Sequence, residues 1–284
     1  MQVLSLISTK GGVGKTTIAA NLGGFFADAG FRVLLLDLDT QPTLSSYYEL
    51  SHRAPGGTYE LLAYNERDIT QLISGTCIDG LDIVLSNDVH RQLNTLLLHA
   101  PDGRLRLRNL LSVFRKNYDL ILIDTQGARS VLLEMAFLAS DSAVSPVTPE
   151  ILAARELQRG TLQLVKEVEP FRHLGIQPPP ISLLINRIPA VSSNARLVQQ
   201  TLRLVFRDQP GVQVLDAEVP SIEAFPKAAT KGLPVHRVER HRPTGRQTPA
   251  AIDIIRSLGT EILPQWALPL SLVTGKGAKH DLRT

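Results

Sequence analysis

From Ser5 the chain reads S-L-I-S-T-K-G-G-V-G-K-T-T, an apolar strand-like end followed by glycines, a lysine and two hydroxyl residues. That order suits a cradle for a polyphosphate. Without side chains at Gly11, Gly12 and Gly14, consecutive amides of Lys10, Gly11, Gly12, Val13 and Gly14 can turn toward one anion. A helix starting near Lys15 adds free N–H groups and the positive end of its dipole. Lys15 would reach the β- and γ-phosphates, and the Thr16 hydroxyl, followed by Thr17, would sit on Mg²⁺. The strict pattern G-x-x-x-x-G-K-[ST] asks for glycine at position 9, but Thr9 stands there with Lys10 beside it. A lysine so early in the loop is poorly placed for its own γ-phosphate. Its physically sensible use is to cross a dimer interface to the partner's nucleotide. The alternative is a glycine turn that merely joins a strand to a helix.

Two further segments end apolar runs in carboxylates. Leu35-Leu36-Asp37-Leu38-Asp39-Thr40-Gln41-Pro42 places Asp37 and Asp39 two residues apart, so they point the same way if the strand continues. Either could instead cap the next segment. Leu120-Ile121-Leu122-Ile123-Asp124 is the Walker B pattern, in which Asp124 would hold Mg²⁺ through a water and the Thr16 hydroxyl. Gln126, two residues on, is a candidate for orienting water.

With these motifs in this order, the chain resembles the deviant-Walker ATPases of the ParA/MinD family over about residues 1–262. The resemblance implies ATP and Mg²⁺ as cofactors and an ATP-dependent homodimer. It implies that Asp39 positions or activates the attacking water while Asp37 supports the metal and phosphate end. It also implies that Asn186, after the strand Ile181–Ile185, bonds the adenine edge. Pro220, in Glu218-Val219-Pro220, would pack near the base; the alternative for Asn186 is an ordinary turn residue before Pro189. Thr40 replaces the family's proline in D-x-D-P-Q, and Thr125-Gln126-Gly127 replaces its prolines after Asp124, which leaves the second switch loop freer. The version implied is a partition ATPase that binds DNA nonspecifically and releases it when a ParB-like centromere-binding protein stimulates hydrolysis. The alternative within the family is a MinD-like or cargo-positioning ATPase acting on a membrane or protein complex.

The C-terminal third carries the basic residues such a DNA surface needs. Arg196, Arg203 and Arg207 are spaced by 7 and 4, which puts them within about 40° on one helix face. Lys227 and Lys231 follow, spaced by 4. Cations with little aromatic interleaving suit phosphate contact, not base readout; the plain alternative is a solvated helix face. Arg104, Arg106 and Arg108 fan around a helix and are assigned no site. Ala250–Leu263 is amphipathic, but Asp253 and Glu261 weaken its attraction to anionic lipid, so no stable membrane association is expected.

The elements that must hold these groups are legible from apolar runs at Val3–Ser8, Arg32–Leu36, Leu81–Leu85, Leu120–Ile123, Ser142–Val147, Ile181–Ile185 and Val212–Leu215. Between them lie helix candidates at residues 15–29, 88–98, 103–116, 129–140, 150–168, 193–208 and 247–262. Strands apolar on both faces alternating with helices predict a doubly wound α/β domain, mostly parallel, with helices on both faces. It is expected to run to residue 264, with residues 265–284 as a basic, partly disordered tail. A length of 284 residues, 43% hydrophobic content, 20% charged content and a net charge of +3 describe a globular protein that is not a polycation. The single cysteine, Cys77, excludes a disulfide framework or a thiolate-held cluster within one chain and fits a reducing cytoplasm. A cytoplasmic, nucleoid-associated protein is expected. The phosphate loop begins so early that neither a secretory signal nor an N-terminal helix-turn-helix domain is expected before it.

Overall fold

The computed structural model describes residues 1–189 and 193–276. The chain opens with β1 (Gln2–Leu6), α1 (Lys15–Asp28) and β2 (Val33–Asp37). A small excursion follows: β3 (Leu50–His52), α2 (Thr58–Ala63), α3 (Ile69–Leu72), β4 (Ile73–Thr76) and β5 (Leu81–Val84). Then come α4 (Leu93–His99), α5 (Arg106–Leu110), β6 (Leu120–Asp124), α6 (Val131–Ala139) and β7 (Ser142–Val147). The last part is α7 (Ile151–Val168), β8 (Ile181–Ile188), α8 (Ser193–Phe206), β9 (Val212–Pro220), α9 (Ala224–Lys231), α10 (Val235–Val238), α11 (Ala251–Ile262) and α12 (Ala267–Ser271).

The nine strands form one sheet in the order β3-β4-β5-β2-β6-β1-β7-β8-β9. From β5 to β9 every pairing is parallel; only β4 runs against its neighbours. All five residues of β2 and all five of β6 are buried, which is why those runs are Leu, Ile and Val without polar alternation. Odd and even positions still serve different layers. Val33 and Leu35 join the core under α1, α9, α10 and α11, whereas Leu34 and Leu36 face α2, α4, α5 and α6. A third cluster lies under α7 and α8. Helices therefore cover both faces. Eleven of the fourteen residues of α1 are buried, so it is apolar nearly all round and not amphipathic.

The strand order reverses around β1, with β6 and β2 on one side and β7 on the other. Open parallel sheets bind ligands at such a point, outside the carboxyl ends of the strands. Asp124 pairs in register with Asp37 on one side and Leu6 on the other, so three strand ends meet there.

The domain continues past residue 264. Trp266 stacks on Phe31 with centroids 4.1 Å apart and meets Phe26 edge-on at 5.6 Å. Leu270 of α12 is fully buried. The aromatic surface at the end of α1 needs a cover, and the segment expected to begin a tail at Gln265 supplies it. Residues 277–284, the rest of that expected tail, lie outside the described residues. Among the described residues no helix is long and apolar enough to cross a membrane.

Candidate functional site

The loop from Ser8 to Gly14 leaves β1 and enters α1 through Gly14, which sits at φ 96°. A side chain there would be strained and would collide with the Asn186 amide. The loop walls a cleft of about 390 Å³ together with Lys15, Thr16, Thr17, Asp39, Gln41, Gln126 and Gly127. A second cleft of about 360 Å³ opens beside it, between the start of α1, the ends of β8 and β9, and α9.

Thr16 Oγ1 donates to Asp124 Oδ2 at 2.6 Å, while Asp124 Oδ1 is buried without a partner. Burial first, then the neighbouring Asp37, pushes the Asp124 carboxyl up to about 7. A carboxylate oxygen left bare in a dry site costs free energy unless something meets it. A hydrated Mg²⁺ held by the Thr16 hydroxyl and, through water, by Asp124 fits that orphaned atom. Lys15 is 6% exposed. Burial pushes its ammonium down, and Asp124 and Asp39 oppose that by favouring the charged form.

Asp37, the neighbour of Asp124 in register, is engaged by the loop after β2. Its Oδ2 accepts from Ser45 N at 2.8 Å and Ser45 Oγ at 2.7 Å, and its Oδ1 accepts from Asp39 N at 3.1 Å. It braces the loop after β2 from beneath, and burial pushes it up to about 6. Asp39 lines the cleft, its carboxylate accepting from Gln41 N at 2.9 Å and its carbonyl from Ser86 Oγ at 2.6 Å. Lys10 is turned toward α7, with Nζ 3.3 Å from Glu156 Oε2. Gly127 lies against the loop so closely that a Cβ would stand 2.5 Å from Gly11 Cα and 2.9 Å from Lys10 O.

Asn186 and Pro220, at the ends of the paired strands β8 and β9, both line the second cleft. Asn186 Nδ2 donates to Val13 O at 2.7 Å and its Oδ1 accepts from Arg187 N at 2.9 Å. The amide therefore ties β8 to the phosphate loop, keeping one hydrogen and one lone pair for a base edge. Sequence reasoning passed over Ser45, Glu156, Arg187, which lines both clefts, and Phe225 of α9, which lines the second. All four owe their place to chain reversal and carry no motif of their own.

The basic residues separate. Arg203 donates to Asp216 Oδ1 at 2.8 Å and Leu215 O at 3.1 Å, in a partly exposed pair whose carboxylate competes with any phosphate. Arg196 is exposed on α8 and Arg207 is exposed in the turn that follows it, near the exposed apolar side chains Leu197, Leu204 and Val205. Lys227 and Lys231 are exposed on α9, which packs on the opposite face of the sheet from α8. The five cations do not make one stripe on one face.

A model of the AAA domain family matches residues 1–175. The chain is 28% identical over 237 residues to the sporulation initiation inhibitor protein Soj of Bacillus subtilis, covering 82% of this chain and 90% of Soj. It is 34% identical over 180 residues to the virulence plasmid ParA family protein pGP5-D of Chlamydia trachomatis, covering 62% and 68% of the two chains. The structure of an ATP complex of Cyanothece McdA, in a variant with one aspartate changed to alanine, superposes with a TM-score of 0.73 at 20% identity, covering 96% of this chain and 95% of that one. At that identity the likeness speaks for the fold.

Proposed function

Because this chain belongs to the ParA/MinD family of deviant-Walker P-loop ATPases, we propose that it binds ATP and Mg²⁺ in the cleft at Lys10–Thr17 and acts as a partition ATPase. The observation that carries the nucleotide half is the Thr16–Asp124 contact of 2.6 Å with its bare Oδ1, in which Thr16 lines the glycine-walled cleft and Asp124 lies buried behind it. The amides of Gly11, Gly12, Val13 and Gly14 and the Lys15 ammonium hold the polyphosphate. Thr16 and Asp124 hold the metal, whose chemistry is to neutralise charge building on the transferred phosphoryl group. Asp39 orients the attacking water from the facing wall. Asn186 and Pro220 border the base.

Two copies close across the cleft with ATP between them, and Lys10 leaves Glu156 to reach the partner's nucleotide. The closed dimer binds DNA nonspecifically through phosphate contacts, chiefly Arg196 and Arg207 with support from Lys227 and Lys231. A ParB-like centromere-binding protein stimulates hydrolysis and so release. Soj and the ParA family protein among the relatives support this reading. The test is binding to unrelated duplexes with and without ATP over a salt series. ATP-dependent binding that falls steeply with salt is expected, and Arg196→Ala or Arg207→Ala should each reduce the log–log salt slope by about 1. Arg203→Ala should leave that slope unchanged. Salt-independent binding, or none with ATP, overturns the DNA half.

A second reading rests on the exposed Leu197 (55%), Leu204 (69%) and Val205 (43%). Apolar side chains among the arginines suit a protein surface better than phosphates, as for an ATPase that positions a protein complex. In that case DNA binding fails while the nucleotide-dependent dimer persists.

A further inference from the structure

Arg187 is held in a backbone conformation that arginine rarely adopts. Its φ is +59°, in the left-handed region, where a side chain crowds its own backbone. The cause is visible in the β8–β9 pairing: Asn186 faces Val219 and Ile188 faces Pro220, leaving Arg187 as an extra residue without an opposite number. Such a bulge re-aims a side chain and is over-represented beside active sites. It is also anchored. The Arg187 amide donates to Asn186 Oδ1 at 2.9 Å, and Asn186 donates in turn to Val13 O of the phosphate loop at 2.7 Å.

The re-aimed side chain lies on the seam of the two clefts. Among the described residues only Gly14, Thr17 and Arg187 line both. Its Nε lies 3.9 Å from where a Cβ on Gly14 would be, directly over the start of α1. Among the described residues no carboxylate forms an ion pair with it. Strain of this kind persists where the surroundings over-determine it, commonly at a ligand.

We propose that Arg187 is a nucleotide-binding residue that grips the α-phosphate. This rests on the reading of the clefts as a nucleotide site. If the base fills one cleft and the terminal phosphates the other, the group passing beneath Arg187 is the α-phosphate with its ribose. A planar guanidinium matches phosphate oxygens two at a time, and charge-assisted bonds are stronger than those between neutral groups. The left-handed bulge is retained to aim it.

The experiment measures ADP, ATP and adenosine affinities by calorimetry, with thermal melts, for wild type, Arg187→Ala and Arg187→Gly. Alanine removes the guanidinium and keeps the unfavourable backbone; glycine removes both. Each should weaken ADP and ATP by the same factor, about 10- to 100-fold for lost charged hydrogen bonds, and leave adenosine unchanged. Arg187→Gly without nucleotide should melt at or above the wild-type temperature, because glycine accepts positive φ freely. Wild-type affinities kept by both variants overturn the proposal while leaving the nucleotide site intact. Loss confined to ATP overturns it in favour of a γ-phosphate contact. If wild type binds neither ADP nor ATP, the reading beneath it fails as well.

Discussion

Gly127→Ala places one methyl group where the switch loop after β6 touches the phosphate loop. The new Cβ would lie 2.5 Å from Gly11 Cα, 2.8 Å from Gly11 N and 2.9 Å from Lys10 O. Ordinary contact begins near 3.4 Å, so one of two backbone segments must move by up to about 1 Å; no flexible side chain can turn aside. Overpacking of this size costs about 1–3 kcal/mol. At roughly 3 °C per kcal/mol for a domain of this length, the melting temperature should fall by about 3–9 °C. The same displacement moves the amides that face the polyphosphate, so ATP affinity should fall at least tenfold, an effect out of proportion to one methyl. The control is Gly11→Ala, whose Cβ would meet nothing within 4 Å; without nucleotide it should melt within about 2 °C of wild type. Differential scanning calorimetry and ATP titration decide the matter. If Gly127→Ala melts and binds ATP like wild type, the two loops are not in contact and the coupling inferred between them is wrong.

The pH dependence of stability has a definite sign. Asp124 is raised to about 7 and Asp37 to about 6 by burial. Their contribution is complete below about pH 4, the range of an unfolded carboxyl, and is lost as pH rises through 6 to 7. Nucleotide-free wild type should match Asp124→Asn at about pH 5 and melt below it at about pH 8; parallel melting profiles would refute the assignment. Glu156→Gln releases Lys10 from a half-exposed pair with N···O 3.3 Å. Such a pair is worth at most about 1 kcal/mol, so ultracentrifugation with ATP should show a dimer tightened by up to about fivefold per subunit, and a weakened dimer would mean the pair supports closure. Lys15→Ala should lose ATP binding and stay monomeric by gel filtration with ATP; a nucleotide-dependent dimer of this variant would remove the phosphate loop from the mechanism.

The parallel strands could be read from composition because burial on both faces favours unbroken aliphatic runs, as in the four residues VLLL that precede Asp37 in β2. β3 and β4 could not. They are three and four residues long, and β3 is largely exposed, so neither carries enough apolar signal to distinguish it from a loop. The helix expected from residue 88 begins at Leu93 because Arg91 turns left-handed at φ 54°. Asp88 then accepts from Gln92 N and Leu93 N at 2.8 and 2.9 Å, closing the turn before it. Local motifs announced Lys15, Thr16 and Asp124 because their work depends on spacing within a loop or at a strand end. The partners of Asp37 and Arg203, Ser45 and Asp216, were not legible because they arrive only when the chain folds back. Arg187 was invisible since strand register, which makes the bulge, belongs to two segments at once.

Trp266 is the single tryptophan of the chain, and it sits against Phe31 and Phe26, at the opposite end of α1 from Lys15. Fourteen residues of helix separate that end from the phosphate loop, a span of about 21 Å. The protein thus carries its own optical gauge, out of reach of direct quenching by a ligand. A change in its emission on adding nucleotide would register a shift of the whole helical rod, and a constant signal would mean that the rod stays still while the loops at its head rearrange.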